Sequence, residues 1–351
     1  MLNWKGTIMK EVFSENEILR QDIDDLPEMI KAALESSTQK EKLKFQKLKL
    51  SKGYLQGLKM IIMTGSSSSY NAAKAAAYGT ELLCEIPTVA IHSQLMMNSV
   101  GIPTKDTLVI ALSKSGEDSD TIFAAKRALK NGARALAVAP QESTLYKMCK
   151  CVIPLSEYCE SICSFNEQYF LLSLLSVYIG GKIGYMPKLN ISVTLKLAEM
   201  LPGKLSFSPH GKKALEEAAE YMTSFSNIVF CGYASDEAIA REISEHFRAI
   251  GSISAYALPI YDIAASGIDK KDTLVVSIIT NNANAALINM QLAQIKSIYD
   301  NALIFTTESI AQECGIKDGT VTVEDSIPLF NPIIITAALF KALSSTDDNT
   351  E

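Results

Sequence analysis

Short apolar runs rich in β-branched residues alternate along this chain with longer amphipathic or alanine-rich segments. Lys59–Thr64 reads as a buried strand, Ser68–Leu83 as an alanine-rich helix, Thr88–Ile91 and Thr107–Leu112 as strands, Asp120–Lys130 as a helix and Ala133–Ala139 as a further strand. The same succession returns in Asn227–Cys231, Glu237–Ala249, Ser254–Ala257, Thr273–Ile278, Ala285–Ser297 and Asn301–Thr306. Strands of this kind between amphipathic helices predict an α/β fold, a parallel sheet with helices on both faces. Asn16–Ser51, with the charge-rich run KEKLKFQKLKL, predicts helix with a solvated face. Val193–Ser224, carrying Pro202 and Pro209, bridges the two halves.

The halves are copies. Met97–Asp118 (MNSVGIPTKDTLVIALSKSGED) and Ile263–Asn284 (IAASGIDKKDTLVVSIITNNAN), 166 residues apart, share Gly101/Gly267, Ile102/Ile268 and the run KDTLV without a gap. Self-similarity at a fixed spacing marks a repeat. The expected organisation is a helical lead-in over residues 1–51, a first α/β domain over 52–195 and a diverged second copy over 196–351.

Composition narrows the functions available. With 351 residues, 48% hydrophobic and 21% charged, the chain has ample material for two cores. A net charge of −6 argues against a nucleic-acid surface. The first dozen residues carry charges and no apolar core, so no secretory signal is expected. The apolar runs near Phe170–Gly181 and Ile327–Leu343 are too short or too interrupted for a membrane span. A soluble cytoplasmic protein is therefore expected, with no membrane partner. The seven cysteines (Cys84, Cys149, Cys151, Cys159, Cys163, Cys231 and Cys314) form no paired array, and there are three histidines. Reduced buried thiols are expected, with neither metal nor cofactor.

Two loops carry candidate chemistry. Gly65-Ser66-Ser67-Ser68-Ser69-Tyr70 opens a helix after one strand, and Ser113-Lys114-Ser115-Gly116-Glu117-Asp118 lies between another strand and helix. Ligands of open parallel sheets bind beyond the carboxyl ends of the strands. Hydroxyls and free N–H groups at helix N-termini suit an anion such as phosphate. In the second copy, Ile279, Thr280, Asn281 and Asn282 replace the serine loop, so one copy is expected to bind.

The run TLVIALSKSGEDSDT resembles the signature loop of SIS (sugar isomerase) domains, and GSSSSYNAA resembles that family's preceding Gly-Ser loop. The tandem arrangement and the IMKEV start resemble the isomerase half of glucosamine-6-phosphate synthase. Fructosamine-6-phosphate deglycases and amino-sugar-phosphate isomerases or deaminases share that architecture. The resemblance implies two tandem SIS domains (flavodoxin-like three-layer sandwiches), a small-molecule sugar phosphate as ligand, and a homodimer. The glutaminase half is absent, so nitrogen transfer from glutamine is not expected of this chain. The phosphosugar-binding set is Ser67, Ser68, Ser69, Ser113, Lys114, Ser115 and Asp118. The resemblance carries phosphate ligands onto Ser69, Ser113, Lys114 and Ser115, with Ser68 towards the sugar. Asp118 departs from the family's Thr or Ser. A carboxylate beside a phosphate costs on the order of 1–4 kcal/mol at 4 Å. Either Lys114 offsets it, or Asp118 points away with Ser119 substituting, or the ligand is not a phosphate monoester.

For catalysis, Arg241-Glu242-Ile243-Ser244 resembles the family's K-E-I-S, which carries its base onto Glu242. The family's ring-opening His falls on Leu258, the Lys-bearing tail has no counterpart, and V-A-S-T-K becomes Cys163-Ser164-Phe165-Asn166-Glu167, with Glu160 just before it matching. His246, four residues after Glu242, shares its helix face and is the candidate acid. His92 reads as a half-buried structural residue and His210 as loop, while Tyr256, Tyr261 and Asp262 are candidates to line a pocket. The reading is an isomerase, deaminase or deglycase. The alternatives are a non-catalytic phosphosugar sensor and an inactive subunit of an active paralogue.

Overall fold

The computed structural model describes residues 4–98, 103–156, 162–250 and 253–345. The chain forms two compact units, one of Glu28–Pro202 and one joining the chain before Glu28 to the chain from Gly203 onward.

In the unit of Glu28–Pro202 the strands are β1 (Met60–Gly65), β2 (Thr88–His92), β3 (Thr107–Leu112), β4 (Arg134–Pro140) and β5 (Cys151–Leu155). All pair in parallel, in the order β2-β1-β3-β4-β5. This is the flavodoxin-like strand order, whose ligands sit at the carboxyl ends where the order reverses, between β1 and β3. Strand β3 is buried along its whole length, as a central parallel strand covered on both faces must be. Ile62, Val109 and Ala111 face Ile122, Ala124, Ala125 and Ala128 of the helix Ser119–Lys130. The helix Ser67–Cys84 packs on β1 and on the helix Ile162–Ile183. The apolar run near Phe170–Gly181 is therefore core.

The other unit repeats the plan. Its strands are β6 (Asn227–Gly232), β7 (Ser254–Pro259), β8 (Thr273–Ile278), β9 (Ala302–Thr307) and β10 (Thr320–Val323). They are parallel in the order β7-β6-β8-β9-β10, the same order as in the first sheet. The registers coincide as well: Met60 pairs with Thr107 at the start of β1 and β3, and Asn227 with Thr273 at the start of β6 and β8. The helix Ser235–Ile250 packs on β6, on β7 and on the buried helix Asn331–Ser344. The chain is thus two α/β sheets of one topology, as the repeat predicts. Among the described residues, no helix is long and apolar enough to cross a membrane.

Two expectations are corrected. The predicted helix over Asn16–Ser51 ends early, since the observed one is Trp4–Ser37. A two-residue hairpin follows, with Thr38 opposite Leu43, and the chain then runs on to Leu50 without helix, through a turn at Gln46–Lys47 in which the Leu48 N–H donates to the Phe45 carbonyl. The reason lies in the sequence: in KLKFQKLKL the apolar residues come in two pairs spaced two apart, Leu43/Phe45 and Leu48/Leu50, and Phe45, Leu48 and Leu50 are buried between exposed polar neighbours. His210 lies in the first turn of the helix Pro209–Thr223, capped by the Ser208 hydroxyl, rather than in a loop. The strands β5 and β10 were not predicted.

Candidate functional site

The end of β1 makes the first half of the site. Gly65 passes beneath the helix Ser67–Cys84 so closely that a Cβ would lie 2.9 Å from the Ser69 carbonyl carbon. Ser67 then takes a left-handed conformation, φ +48°, which costs a non-glycine residue on the order of 1 kcal/mol. The helix therefore starts abruptly over the sheet edge, with Ser66 and Ser67 at its rim and Ser69 buried in its first turn.

The loop after β3 makes the second half. The Ser113 hydroxyl accepts the Gly116 N–H at 3.0 Å, and the Ser115 hydroxyl accepts the Glu117 N–H at 3.1 Å. Both hydroxyls keep their proton to donate to a bound anion. Gly116, at φ +68°, lies against Ser143, where any Cβ would sit 2.1 Å from the Ser143 hydroxyl oxygen. Glu117 ties the loop to the next turn by accepting the Thr144 N–H at 2.8 Å and its hydroxyl at 2.7 Å. These bonds hold the Glu117 carboxyl below the usual carboxylate range.

The two loops frame a cleft of about 580 Å³ lined by Ser66, Ser67, Ser69, Leu112, Ser113, Lys114, Ser115, Asp118, Pro140, Gln141 and Ser156. The structure brings together six of the seven expected residues, Ser67, Ser69, Ser113, Lys114, Ser115 and Asp118, but leaves Ser68 off the cleft wall. Ser66, Gln141 and Ser156 join the wall without having been anticipated. The last two stand just beyond β4 and β5, and only the strand order could have pointed to them.

Asp118 is a helix cap. Its carboxylate accepts the Thr121 N–H at 2.9 Å, the Thr121 hydroxyl and the Ser66 hydroxyl at 3.1 Å. Thr121 continues through Ser93 at 2.7 Å to Thr64 at 3.4 Å, a chain of buried hydroxyls joining the two strand ends. Asp118 thus keeps its place on the wall, with its charge met by three donors and by the dipole of the helix it caps.

The second copy carries a different solution at the equivalent place. Gly232 and Ala234 (φ +54°) repeat Gly65 and Ser67, and by the strand registers Asp236 corresponds to Ser69 and Thr280 to Lys114. The Asp236 carboxylate is buried and accepts the Thr280 N–H at 3.1 Å and its hydroxyl. Burial pushes its pKa up to about 7, against the lowering effect of the Thr280 bonds. A buried carboxyl group of the chain itself thus links the two strand-end loops where the first copy has an open cleft.

Glu242 is not the solvent-facing residue its charged neighbours suggest. Its side chain is 0% exposed, and Oε1 lies 3.2 Å from Nε2 of His246, whose own side chain is 21% exposed and stacks edge-on against Phe340. Leu258 lines a separate cleft of about 680 Å³ in the same unit, with Arg241, Arg248, Tyr256 and Asp262. Tyr261 is not on that wall and is 55% exposed. His92 is half-buried, with Nδ1 accepting the Gln94 N–H and its ring edge-on to Tyr70. Cys84, Cys149, Cys151, Cys163, Cys231 and Cys314 are buried free thiols, while Cys159 and Glu160 lie outside the described residues. Among the described residues, no group of His, Cys, Asp and Glu side chains is arranged to hold a metal ion.

Comparison with known proteins agrees with this fold. The SIS domain model matches residues 54–178. Glutamine–fructose-6-phosphate aminotransferase (isomerizing) of Fusobacterium nucleatum is 26% identical over 333 residues, which are 91% of this chain and 54% of that protein. The chain thus spans about half the length of the curated relative. Among solved structures, the C-terminal domain of glucosamine-fructose-6-phosphate aminotransferase from Francisella tularensis superposes with a TM-score of 0.84 at 17% identity, covering 94% of this chain and 95% of that one. Glucosamine-6-phosphate deaminase from Thermotoga maritima superposes with a TM-score of 0.67 at 16% identity, covering 95% of each.

Proposed function

Starting from a chain whose residues 54–178 are a SIS domain, we propose that the cleft at the ends of β1 and β3 binds the phosphate of a sugar phosphate. The observation that carries this reading is the set of hydroxyls around the cleft. Ser69 lines it from the first turn of a helix, and Ser113 and Ser115 from the loop after β3, with Lys114 supplying the positive charge. Ser113 and Ser115 accept backbone N–H groups and so have their protons left for a ligand.

The substrate class is an amino-sugar phosphate or sugar–amine conjugate, and the reaction an isomerisation, deamination or deglycation. Such a reaction moves a proton at carbon and needs an acid/base group. The candidates for that role are Glu242 and His246, which lie outside the unit of the cleft. The buried carboxylate fixes the imidazole, and the imidazole, which alone of the two has exposed surface, exchanges the proton. A homodimer in the cytoplasm, with no metal or nucleic acid, completes the reading.

The complete burial of Glu242 favours a second reading, a sensor or inactive subunit that binds without turnover. Calorimetry with glucosamine 6-phosphate, followed by NMR of the product, separates the two. Replacing Ser113 and Ser115 together by Ala is expected to weaken binding at least tenfold, as the loss of two charge-assisted hydrogen bonds requires. Unchanged affinity overturns the site. Binding without conversion selects the sensor.

A further inference from the structure

Beyond the phosphate cradle, the cleft has a far wall, and a buried carboxylate stands behind it. Ser156 follows the last residue of β5 and lines the cleft. Behind it lies Glu167, on the helix Ile162–Ile183 and only 3% exposed. Glu167 accepts the Ser156 N–H at 2.9 Å through one oxygen and the Ser156 hydroxyl at 3.0 Å through the other. Both oxygens of a buried carboxylate are thus directed at one cleft residue.

The polarity of that hydroxyl follows. A serine has one proton to donate and two lone pairs. The Ser156 proton is taken by Glu167, so only lone pairs remain for the cleft. Burial pushes the Glu167 pKa up to about 7, and the two Ser156 bonds pull it the other way, so the carboxylate form prevails just above neutrality.

The placement suits the part of the ligand away from the phosphate. Ser156 lies two strands from β3 in the sheet order, about 10 Å at the usual strand spacing. The carbon skeleton of a hexose 6-phosphate, with bonds of about 1.5 Å, reaches on the order of 7 Å from the phosphorus, leaving the length of one hydrogen bond.

We propose that Glu167 is a positioning residue that fixes the Ser156 hydroxyl as a hydrogen-bond acceptor facing the cleft, and that this acceptor selects a sugar phosphate bearing a donor, an ammonium above all, at the carbon beside it. The proposal rests on the phosphate cradle and adds a specificity to it. An ammonium gains twice, from the lone pair of Ser156 and from the carboxylate behind it. A ligand with only hydrogen at that carbon leaves the lone pair unmet.

The test compares glucosamine 6-phosphate with 2-deoxyglucose 6-phosphate by calorimetry at pH 7.5, in the full chain. The wild type is expected to prefer the amine at least tenfold. In Glu167→Gln the amide donates to the Ser156 oxygen, so the serine proton turns to the cleft. The preference is then expected to fall to about twofold or less, while the affinity for 2-deoxyglucose 6-phosphate is unchanged. A merely structural role would lower both affinities together. Ser156→Ala, at a partly exposed position, is expected to lose the same preference and serves if the first variant does not fold. A preference kept in both variants overturns the proposal, as does its absence from the wild type while 2-deoxyglucose 6-phosphate still binds through Ser113 and Ser115. If neither sugar phosphate binds, the phosphate cradle itself is overturned and the specificity with it.

Discussion

At the scale of single residues, the cleft depends on a few positions with no freedom. Gly116 has both a positive φ and no room for a side chain. Gly116→Ala is expected to destabilise the unit of Glu28–Pro202 by about 2 kcal/mol or more and to weaken sugar-phosphate binding, since the loop must shift away from Ser143. Equilibrium urea unfolding and calorimetry check the two effects. Asp236 behaves differently. A carboxyl whose pKa is higher in the folded than in the unfolded state stabilises the fold below its unfolded value, and that contribution is lost as pH rises through the folded value. For Asp236 the window runs from 3.8 to about 7, and Glu167 acts with the same sign from 4.5 to about 7. Asp236→Asn keeps both bonds, its carbonyl accepting the Thr280 N–H and its amide donating to the Thr280 hydroxyl. The variant is expected to gain on the wild type by at least about 1 kcal/mol between pH 5 and pH 7.5 in urea unfolding. Parallel stability profiles would refute this account. The serines of the cradle were legible in the sequence because small hydroxyl residues cluster where strands end. Ser156 and Glu167 were not: they are eleven residues apart, and what joins them is a hydrogen bond.

At the scale of elements, the alternation of strand and helix was legible wherever a strand is long and central. Thr107–Leu112 and Thr273–Ile278 are observed with the predicted limits, since six consecutive buried positions leave no competing pattern. Of the four edge strands, Thr88–His92 and Ser254–Pro259 were legible and the other two were not. Cys151–Leu155 contains Pro154, tolerated because an edge strand has one unpaired side, and Thr320–Val323 has only four residues. The N-terminal helix was overextended because a charge-rich run was read as a solvated helical face. The hairpin that ends it places Lys40 and Glu41 at φ +50° and +58°, a turn that prefers Asn-Gly. The double change Lys40→Asn, Glu41→Gly is therefore expected to raise stability by about 1 kcal/mol, read as a higher midpoint in thermal unfolding. No change, or a loss, would mean that the lysine and glutamate side chains stabilise the turn by other means.

At the scale of the whole molecule, two units of one plan were legible from the repeated KDTLV, and both sheets share one strand order and register. What the sequence also showed was that the second copy lacks the serine loop. It did not show what replaces it, because the substitute, Asp236, comes from the other strand end and is recognised only by its bonds to Thr280. One sugar phosphate per chain is accordingly expected in calorimetry, and a stoichiometry of two would contradict the equivalence drawn between Ser69 and Asp236. The closed loops of the second copy have a consequence for how the two sheets respond to their surroundings. A ligand that is part of the chain cannot be diluted away, competed off or depleted by metabolism. The half that carries Asp236 holds its acceptor within the chain, and its Thr280 amide is bonded with no added ligand. The half that carries the open cleft is, on the proposed function, loaded only when a sugar phosphate is present. Hydrogen exchange at Ser113–Gly116 is expected to slow on adding ligand, and exchange at Ile279–Asn282 to be indifferent to it.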